Sequence, residues 1–351
     1  ILKNIALLQD EWSQDLKFIV YLKEKPREDL PKETECWKYK VLPTTCGLWV
    51  LTKLMPELYL SRQKPDLLFT PSHYTVPFSP VPRVCSIMDL GYLDFSGHFK
   101  KITYWQLKYW TAISIFVSKC IIAISNATKK DIVRHYPFAS NKVVVTHLGY
   151  DRERFNRNIS DSDVRRVMKR YSIVDDYILY IGTLKPSKNI DGVIRAFKEI
   201  GDTKNIKLVI AGKKGWMYGS IYELVKKLGL EGRIIFTGYL LEEDKPAILK
   251  GARVLVSPSF WEGFGLHVLE AMACGTPVVV SRAGSFPEVV GKAGVLVDPH
   301  DVPSIAEGIR KVINMPEIGY NELVRAGFIQ ADKFKWEGAA RKTIGILKKA
   351  I

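Results

Sequence analysis

"SPSFWEGFGLHVLEAMACGTPVV", residues 257–279, is apolar and glycine-rich, yet it holds two carboxylates, Glu262 and Glu270, with no cation beside either in the chain. The β-branched run "RVLVSPS" (253–259) before and into it reads as a strand, and "FWEGFG" as the loop at its carboxyl end. A helix is expected from near Gly265 to just before Gly275, with Pro277 beyond its end. Strand, loop and helix in this order form the repeating unit of a parallel α/β sheet. Within the helix Leu266, Leu269 and Ala273 recur at i, i+3 and i+7 and predict the core stripe, while His267 and Glu270 fall on the neighbouring stripe.

The same unit recurs outward from this stretch. Strands are predicted at 16–22, 66–70, 83–88, 120–125 and 142–148 in the first half, and at 177–182, 207–212, 233–238, 253–259, 276–281 and 294–297 in the second. Nearly continuous apolar strands between amphipathic helical stretches imply parallel sheets covered on both faces. Two such series imply two doubly wound domains, joined near the polar "GYDRERFNRNIS" (149–160). "ISDSDVRR" then starts a helix, with Asp161 or Ser162 as its N-cap; it contains the chain's only DxD, here read as a helix start, so no metal site is expected.

In such sheets ligands sit beyond the carboxyl ends of the strands. At about 1.5 Å rise per residue, Glu270 lies roughly 8 Å along the axis from the helix start, with Glu262 in the loop before it. Two acceptors so spaced suit two parts of one elongated molecule. Gly263 and Gly265 allow close backbone approach, and the helix N-terminus favours an anion between the acids. A nucleotide-sugar has this order of groups: sugar hydroxyls, diphosphate, ribose hydroxyls. The plainer alternative, a solvated loop acid and a surface helix acid, leaves the glycines and the neighbouring "AMACG" without a reason.

The 351 residues carry a formal charge of +15, which predicts attraction to nucleic acid, an acidic membrane face or phosphorylated small molecules. The lysines are spread over both halves and no nucleic-acid module is visible, so nucleic acid is not expected as a partner. No GxGxxG follows an early strand, which argues against an oxidoreductase. Five cysteines without CxxC spacing indicate neither a disulfide framework nor a zinc site, and fit a reducing, cytoplasmic compartment. The nearest approach to a membrane span, residues 110–125, is short and carries Lys119, so it reads as a helix end and a buried strand.

The E-x7-E motif of Glu262 and Glu270, inside the stretch quoted above, resembles the retaining glycosyltransferases of family 4, and the resemblance runs from about residue 64 to the end. It implies a GT-B fold: two doubly wound, Rossmann-like α/β domains facing each other across a cleft. The expected boundaries are 1–150 for the acceptor-side domain, 151–334 for the nucleotide-sugar domain and 335–351 for a helix crossing back. The implied reaction is transfer of a sugar from a nucleoside-diphosphate donor to a hydroxyl, with retained configuration, no cofactor and no required metal. A nucleotide-sugar-binding protein without turnover is the alternative.

The resemblance also implies roles. Glu262 would hold donor-sugar hydroxyls, Glu270 the ribose, and Lys188 the diphosphate. Gly182 and Thr183, with Phe264 and Leu266 beside the two glycines of the later loop, would line the donor site. Many members have an arginine where Thr183 or Ser187 stands, and Lys185 is expected to supply that charge. The backbone near Tyr239 and Leu240 would face the base, with core packing the other reading of Tyr239. In "SIMDLGYLDF" (86–95) Asp89 matches, but Met88 stands where the family has histidine, and His73 of "TPSHYTVPF" (70–78) is the candidate replacement. "GTLKPSKN" with "GKKGW" resembles mannosyltransferases, which favours GDP-mannose over a UDP-sugar as donor. The family's first strand and glycine-rich loop would precede "ILKNIALLQDE", and the chain, opening on Ile1, is expected to be incomplete there.

For the acceptor, a glycan or lipid-linked hydroxyl, "FKKITYWQLKYW" (99–110) has three lysines, five aromatics and no acid. Ile102, Trp105 and Tyr109 predict a core stripe, and Lys101, Tyr104 and Lys108 an exposed one suited to an anionic membrane. Peripheral contact with the inner face of the plasma membrane is therefore expected.

Overall fold

The structure is a computed structural model that describes residues 1–45, 47–201, 205–213, 215 and 219–351. Cys46, one of the five cysteines, and Lys214 and Trp216 of "GKKGW" lie outside the described residues. The chain groups into two units, Ile1–Gly149 with Lys335–Ile351, and Tyr150–Phe334.

In the first unit β1 (Phe18–Leu22) pairs in parallel with β2 (Trp37–Val41) as a two-stranded sheet. β3 (Leu68–Thr70), β4 (Arg83–Ile87), β5 (Cys120–Ala123) and β6 (Val143–Val145) form a second parallel sheet in sequence order. Its side chains alternate between two cores. Val84 and Ile122 pack with Ile346, Leu347 and Ala350 of the Trp336–Ala350 helix. Cys85, Ile87, Ile121, Ala123 and Val143 pack on the other face with Ile115 and Ile132. Burial on both faces is why these strands read as continuous apolar runs. β2 was not foreseen, because "WKYKV" alternates aromatic and lysine. Trp37 is buried against Trp12 and Phe18, while Lys38 is exposed and Lys40, also on the surface, donates to Glu57 Oε1 at 2.6 Å.

The Lys101–Val117 helix turns a different face inward from the one expected. Thr111, Ser114 and Ile115 are buried, with Tyr104 and Leu107 packed against the same core, whereas Ile102, Trp105 and Tyr109 are exposed. Both stripes contain aromatics, and the decision is made by residues 111–115, beyond the window that was read. Among the described residues no helix is long and apolar enough to cross a membrane.

Behind β5 the helix Asn126–His135 carries a buried carboxylate, Asp131, 3.2 Å from Arg134. Burial pushes the Asp131 pKa up to about 6, against the pull of Arg134 and with help from Asp94 and Asp89. A folded-state value above the unfolded one means the folded state holds the proton more tightly, so stability falls as pH rises from the usual carboxylate range through about 6. Asp131→Asn should therefore raise the urea midpoint at pH 8 and leave it unchanged at pH 4. Two pKa steps correspond to about 3 kcal/mol, and loss of an Arg134 partner reduces the expected gain to about 1 kcal/mol.

The second unit is one six-stranded parallel sheet ordered β12-β11-β10-β7-β8-β9. The strands are β7 (Tyr177–Ile181), β8 (Lys207–Ala211), β9 (Ile234–Gly238), β10 (Val254–Ser257), β11 (Val278–Ser281) and β12 (Val295–Val297). The Ile190–Ile200 and Val302–Ile313 helices join one face, with Ile178, Tyr180, Ile210, Val254 and Val256 in the shared core. The Leu266–Ala273 and Phe286–Val290 helices pack on β10 and β11. Strand order reverses between β7 and β10, the switch point where a crevice opens beyond the strand ends. The Asp161–Arg170 helix is capped by Ser160, whose Oγ accepts from Asp163 N at 3.1 Å, and not by Asp161 or Ser162. Asp161 pairs with Lys250 and Asp163 with Arg166.

Candidate functional site

Both loops at the switch point belong to the motifs singled out in the sequence. After β7 the chain passes through Gly182 and a single turn, Pro186–Lys188, into Asn189, whose φ of +54° is left-handed. Asparagine tolerates that conformation and is used twice more: its Nδ2 donates to Pro258 O (3.1 Å) and Pro299 O (2.7 Å), tying this loop to the ends of β10 and β12. Phe260 N donates to Ser187 O at 3.1 Å, which closes the β7 and β10 loops on each other. Crowding requires glycine at 212, where a Cβ would lie 1.9 Å from the carbonyl oxygen of Gly182, and at Gly182 a Cβ would lie 2.9 Å from the Tyr180 hydroxyl.

This scaffold holds Glu262 by main chain and side chain. Ser285 donates to its carbonyl from both N and Oγ, each at 3.1 Å. The carboxylate Oε1 accepts from Lys188 Nζ and, at 3.2 Å, from Ser259 Oγ. Only 12% of the Glu262 side chain and 18% of that of Lys188 are exposed. Burial alone would raise the Glu262 pKa, but the Lys188 charge and the two hydrogen bonds outweigh it and hold the carboxyl below its ordinary range.

The helix that follows, Leu266–Ala273, starts at Gly265, whose φ of +87° and 2.5 Å approach of Phe286 to any Cβ admit only glycine. It is buried nearly all round. Leu269 and Ala273 face the core as expected, whereas Leu266 is half-buried at the first turn. Glu270 is 9% exposed, and its Oε2 lies 2.8 Å from Lys245 Nζ at ion-pair distance without hydrogen-bond geometry. Lys245 begins the Lys245–Lys250 helix and also lies 5.5 Å from the Phe155 ring centroid. Sequence reasoning did not single it out, because "DKP" (244–246) reads as a helix start and nothing local ties it to an acid 25 residues on. His267 Nε2 lies 2.9 Å from Ser257 Oγ. Burial, reinforced by Lys188 and Lys245 and opposed by Glu262, takes its pKa down to about 4, so it is neutral at pH 7.

Of the remaining candidates in this unit, Gly263 and Phe264 are buried, Phe264 edge-on to Phe334 at 5.7 Å. Thr183 is exposed and Lys185 half-buried. Leu240 is buried, but Tyr239 is 51% exposed with Lys213 Nζ 4.4 Å over its ring, which rules out core packing for it. In the first unit, Asp89 Oδ1 accepts from Gly91 N at 3.0 Å, and Met88 O accepts from Thr128 Oγ1 at 3.1 Å. His73 has a buried Nδ1 without a hydrogen-bond partner among the described residues. Burial lowers its pKa, and the charge of Asp89 opposes the shift. No group of three or more His, Cys, Asp or Glu able to hold a metal occurs among the described residues.

Residues 166–328 match the family described as "Glycosyl transferases group 1". The O-antigen chain mannosyltransferase B of Escherichia coli is 36% identical over 296 residues, which cover 83% of this chain and 77% of that protein. Among solved structures, a glycosyltransferase from Rickettsia africae superposes with a TM-score of 0.76 at 16% identity, over 99% of this chain and 94% of its own. Anabaena HepE in complex with UDP and glucose gives 0.72 at 20% identity, over 89% and 86% of the two chains. A parallel sheet whose switch point carries two lysine-held glutamates is thus met by relatedness along most of the chain: it belongs to the group 1 glycosyl transferases and is a glycosyltransferase of the GT-B fold.

Proposed function

We propose that the chain moves a mannosyl residue from GDP-mannose to a hydroxyl of a glycan or lipid-linked acceptor in cell-envelope glycan synthesis, with retention of configuration. The observation that carries this reading is the pair of buried carboxylates at the switch point, each held by a lysine from another element. Glu262 accepts hydrogen bonds from the donor sugar, Glu270 from the ribose, and Lys188, with Lys185, faces the diphosphate. The mannosyltransferase relative favours the sugar, and the UDP held by HepE favours a nucleotide-sugar donor.

Chemically the reaction asks little covalent work of the protein. The acceptor hydroxyl forms the new C–O bond as the sugar–phosphate bond breaks, and its proton passes to the departing phosphate oxygen. Charge growing on that diphosphate is met by Lys188, fixed beforehand in a water-poor setting. Asp89 and His73 are assigned to the first unit's share of donor-sugar and acceptor binding. The site needs no cofactor in this scheme, since the diphosphate's compensation comes from lysines. Placement on the cytoplasmic side, against the anionic inner face of the plasma membrane, follows from the acceptor class and the charge of +15.

Thermal shift with GDP, UDP and their sugars tests the donor. A ligand at 100 times its Kd stabilises by about 2.7 kcal/mol, or about 5–10 °C for a unit of this size. GDP and GDP-mannose should give that shift and the uridine series less. An equal or larger shift with UDP would refute the guanine assignment, and release of GDP from GDP-mannose in the presence of acceptor separates an enzyme from a silent binder.

A further inference from the structure

The Lys101–Val117 helix leaves a continuous apolar face uncovered. Ile102, Trp105, Tyr109, Ile113 and Phe116 follow one another at i+3 and i+4 and are 83, 46, 59, 40 and 72% exposed. At about 1.5 Å per residue the stripe runs roughly 21 Å. Phe138, 57% exposed, meets Phe116 edge-on at 5.9 Å and broadens its end. Trp105 and Tyr109 stack ring against ring with centroids 5.5 Å apart, so the two side chains project from the helix as one aromatic unit. Isolated exposed apolar residues are ordinary, but a ridge of six such side chains marks an interaction surface.

Its charge setting selects the occupant. Residues 95–130 contain six lysines and no Asp or Glu. Lys108 Nζ lies 5.0 Å from the Trp105 ring centroid, and Lys142 Nζ lies 5.5 Å from that of Phe138 while donating to the carbonyls of Phe116 and Ser118 at 3.0 and 2.9 Å, so a cation stands beside each end of the ridge. A second copy of the chain would bring the same lysines against themselves. Apolar ridge, interfacial aromatics and flanking lysines together fit a helix lying in the plane of an anionic bilayer.

We propose that this helix docks the first unit on anionic lipid, inserting Ile102, Trp105, Tyr109, Ile113 and Phe116 between headgroups while Lys100, Lys101 and Lys108 face the phosphates. The inference rests on the membrane placement proposed above and names the surface responsible. It differs from the sequence reading, in which Ile102, Trp105 and Tyr109 were core and Tyr104 was outward.

Co-sedimentation with phosphatidylglycerol-containing and pure phosphatidylcholine vesicles at low salt tests it on the full chain. The unaltered protein should bind the anionic vesicles and lose binding as salt rises. Trp105→Glu/Phe116→Glu should reduce the partition constant at least tenfold, and Lys101→Gln or Lys108→Gln about fivefold each. Nucleotide release with a water-soluble acceptor should be unchanged in all of these variants, which also verifies their folding. Binding by the unaltered protein that survives Trp105→Glu/Phe116→Glu would overturn this surface and leave the membrane placement standing. No binding by the unaltered protein would overturn both. A concentration-dependent dimer abolished by the same double variant would assign the ridge to self-association instead.

Discussion

Lys188→Ala is expected to lower turnover by about a thousandfold, the loss of one pre-oriented charge facing a leaving group in a water-poor site, about 4 kcal/mol of transition-state stabilisation. The substitution also does structural harm, because Glu262, 12% exposed, would lose the charge that offsets its burial and keep Ser259 as its remaining side-chain partner. Removing one member of a buried pair costs up to about 3–5 kcal/mol, so Lys188→Ala alone confounds chemistry with folding. Lys188→Met/Glu262→Gln separates them, since it removes both charges and restores most of the stability. Turnover of the double variant should stay at least as low as that of either single one, measured as nucleoside diphosphate release, with urea midpoints for stability. Recovery of turnover along with stability would show the pair to be a structural clamp with no part in the reaction.

The second large effect is expected at Glu270. Each hydrogen bond from a hydroxyl to a carboxylate contributes about 1.5–3 kcal/mol, so Glu270→Ala should weaken nucleoside diphosphate binding about 100-fold in calorimetry. Its cost in stability should be smaller, about 1–2 kcal/mol, because Lys245 is 19% exposed and its flexible stem can carry the ammonium toward water. Lys245→Ala is the informative partner: it leaves Glu270 in place but unneutralised, and should weaken binding less than Glu270→Ala does. Unchanged affinity of Glu270→Ala for both GDP and UDP would remove the ribose from its assignment.

The strands and the placement of the motifs were legible because they are local. All eleven predicted strands are present, since runs such as "YILYI" and "VLVS" are buried on both faces and carry no competing turn chemistry. The helix after Gly265 was legible from its flanking glycines and Pro277. What sequence could not show is long-range or depends on a choice between equivalent faces. Lys188 reaches Glu262 across 74 positions, and Lys245 reaches Glu270 only because their two helices pack together. The outward face of Lys101–Val117 was misread because Trp105 and Tyr109 look like core by type, while the buried Thr111 and Ser114 look like surface. β2 was missed for a similar reason, its lysines masking Trp37 and Tyr39.

On the proposed placement of Lys188 at the donor diphosphate, its contact with Glu262 carries a kinetic expectation. A lysine that already has a carboxylate at its tip would greet an arriving diphosphate by trading one anion for another, so its net attraction would be the difference between two pairings. The same trade would run backward once the sugar has gone, with the carboxylate reclaiming the ammonium, and Glu262→Gln is then expected to strengthen inhibition by the free diphosphate.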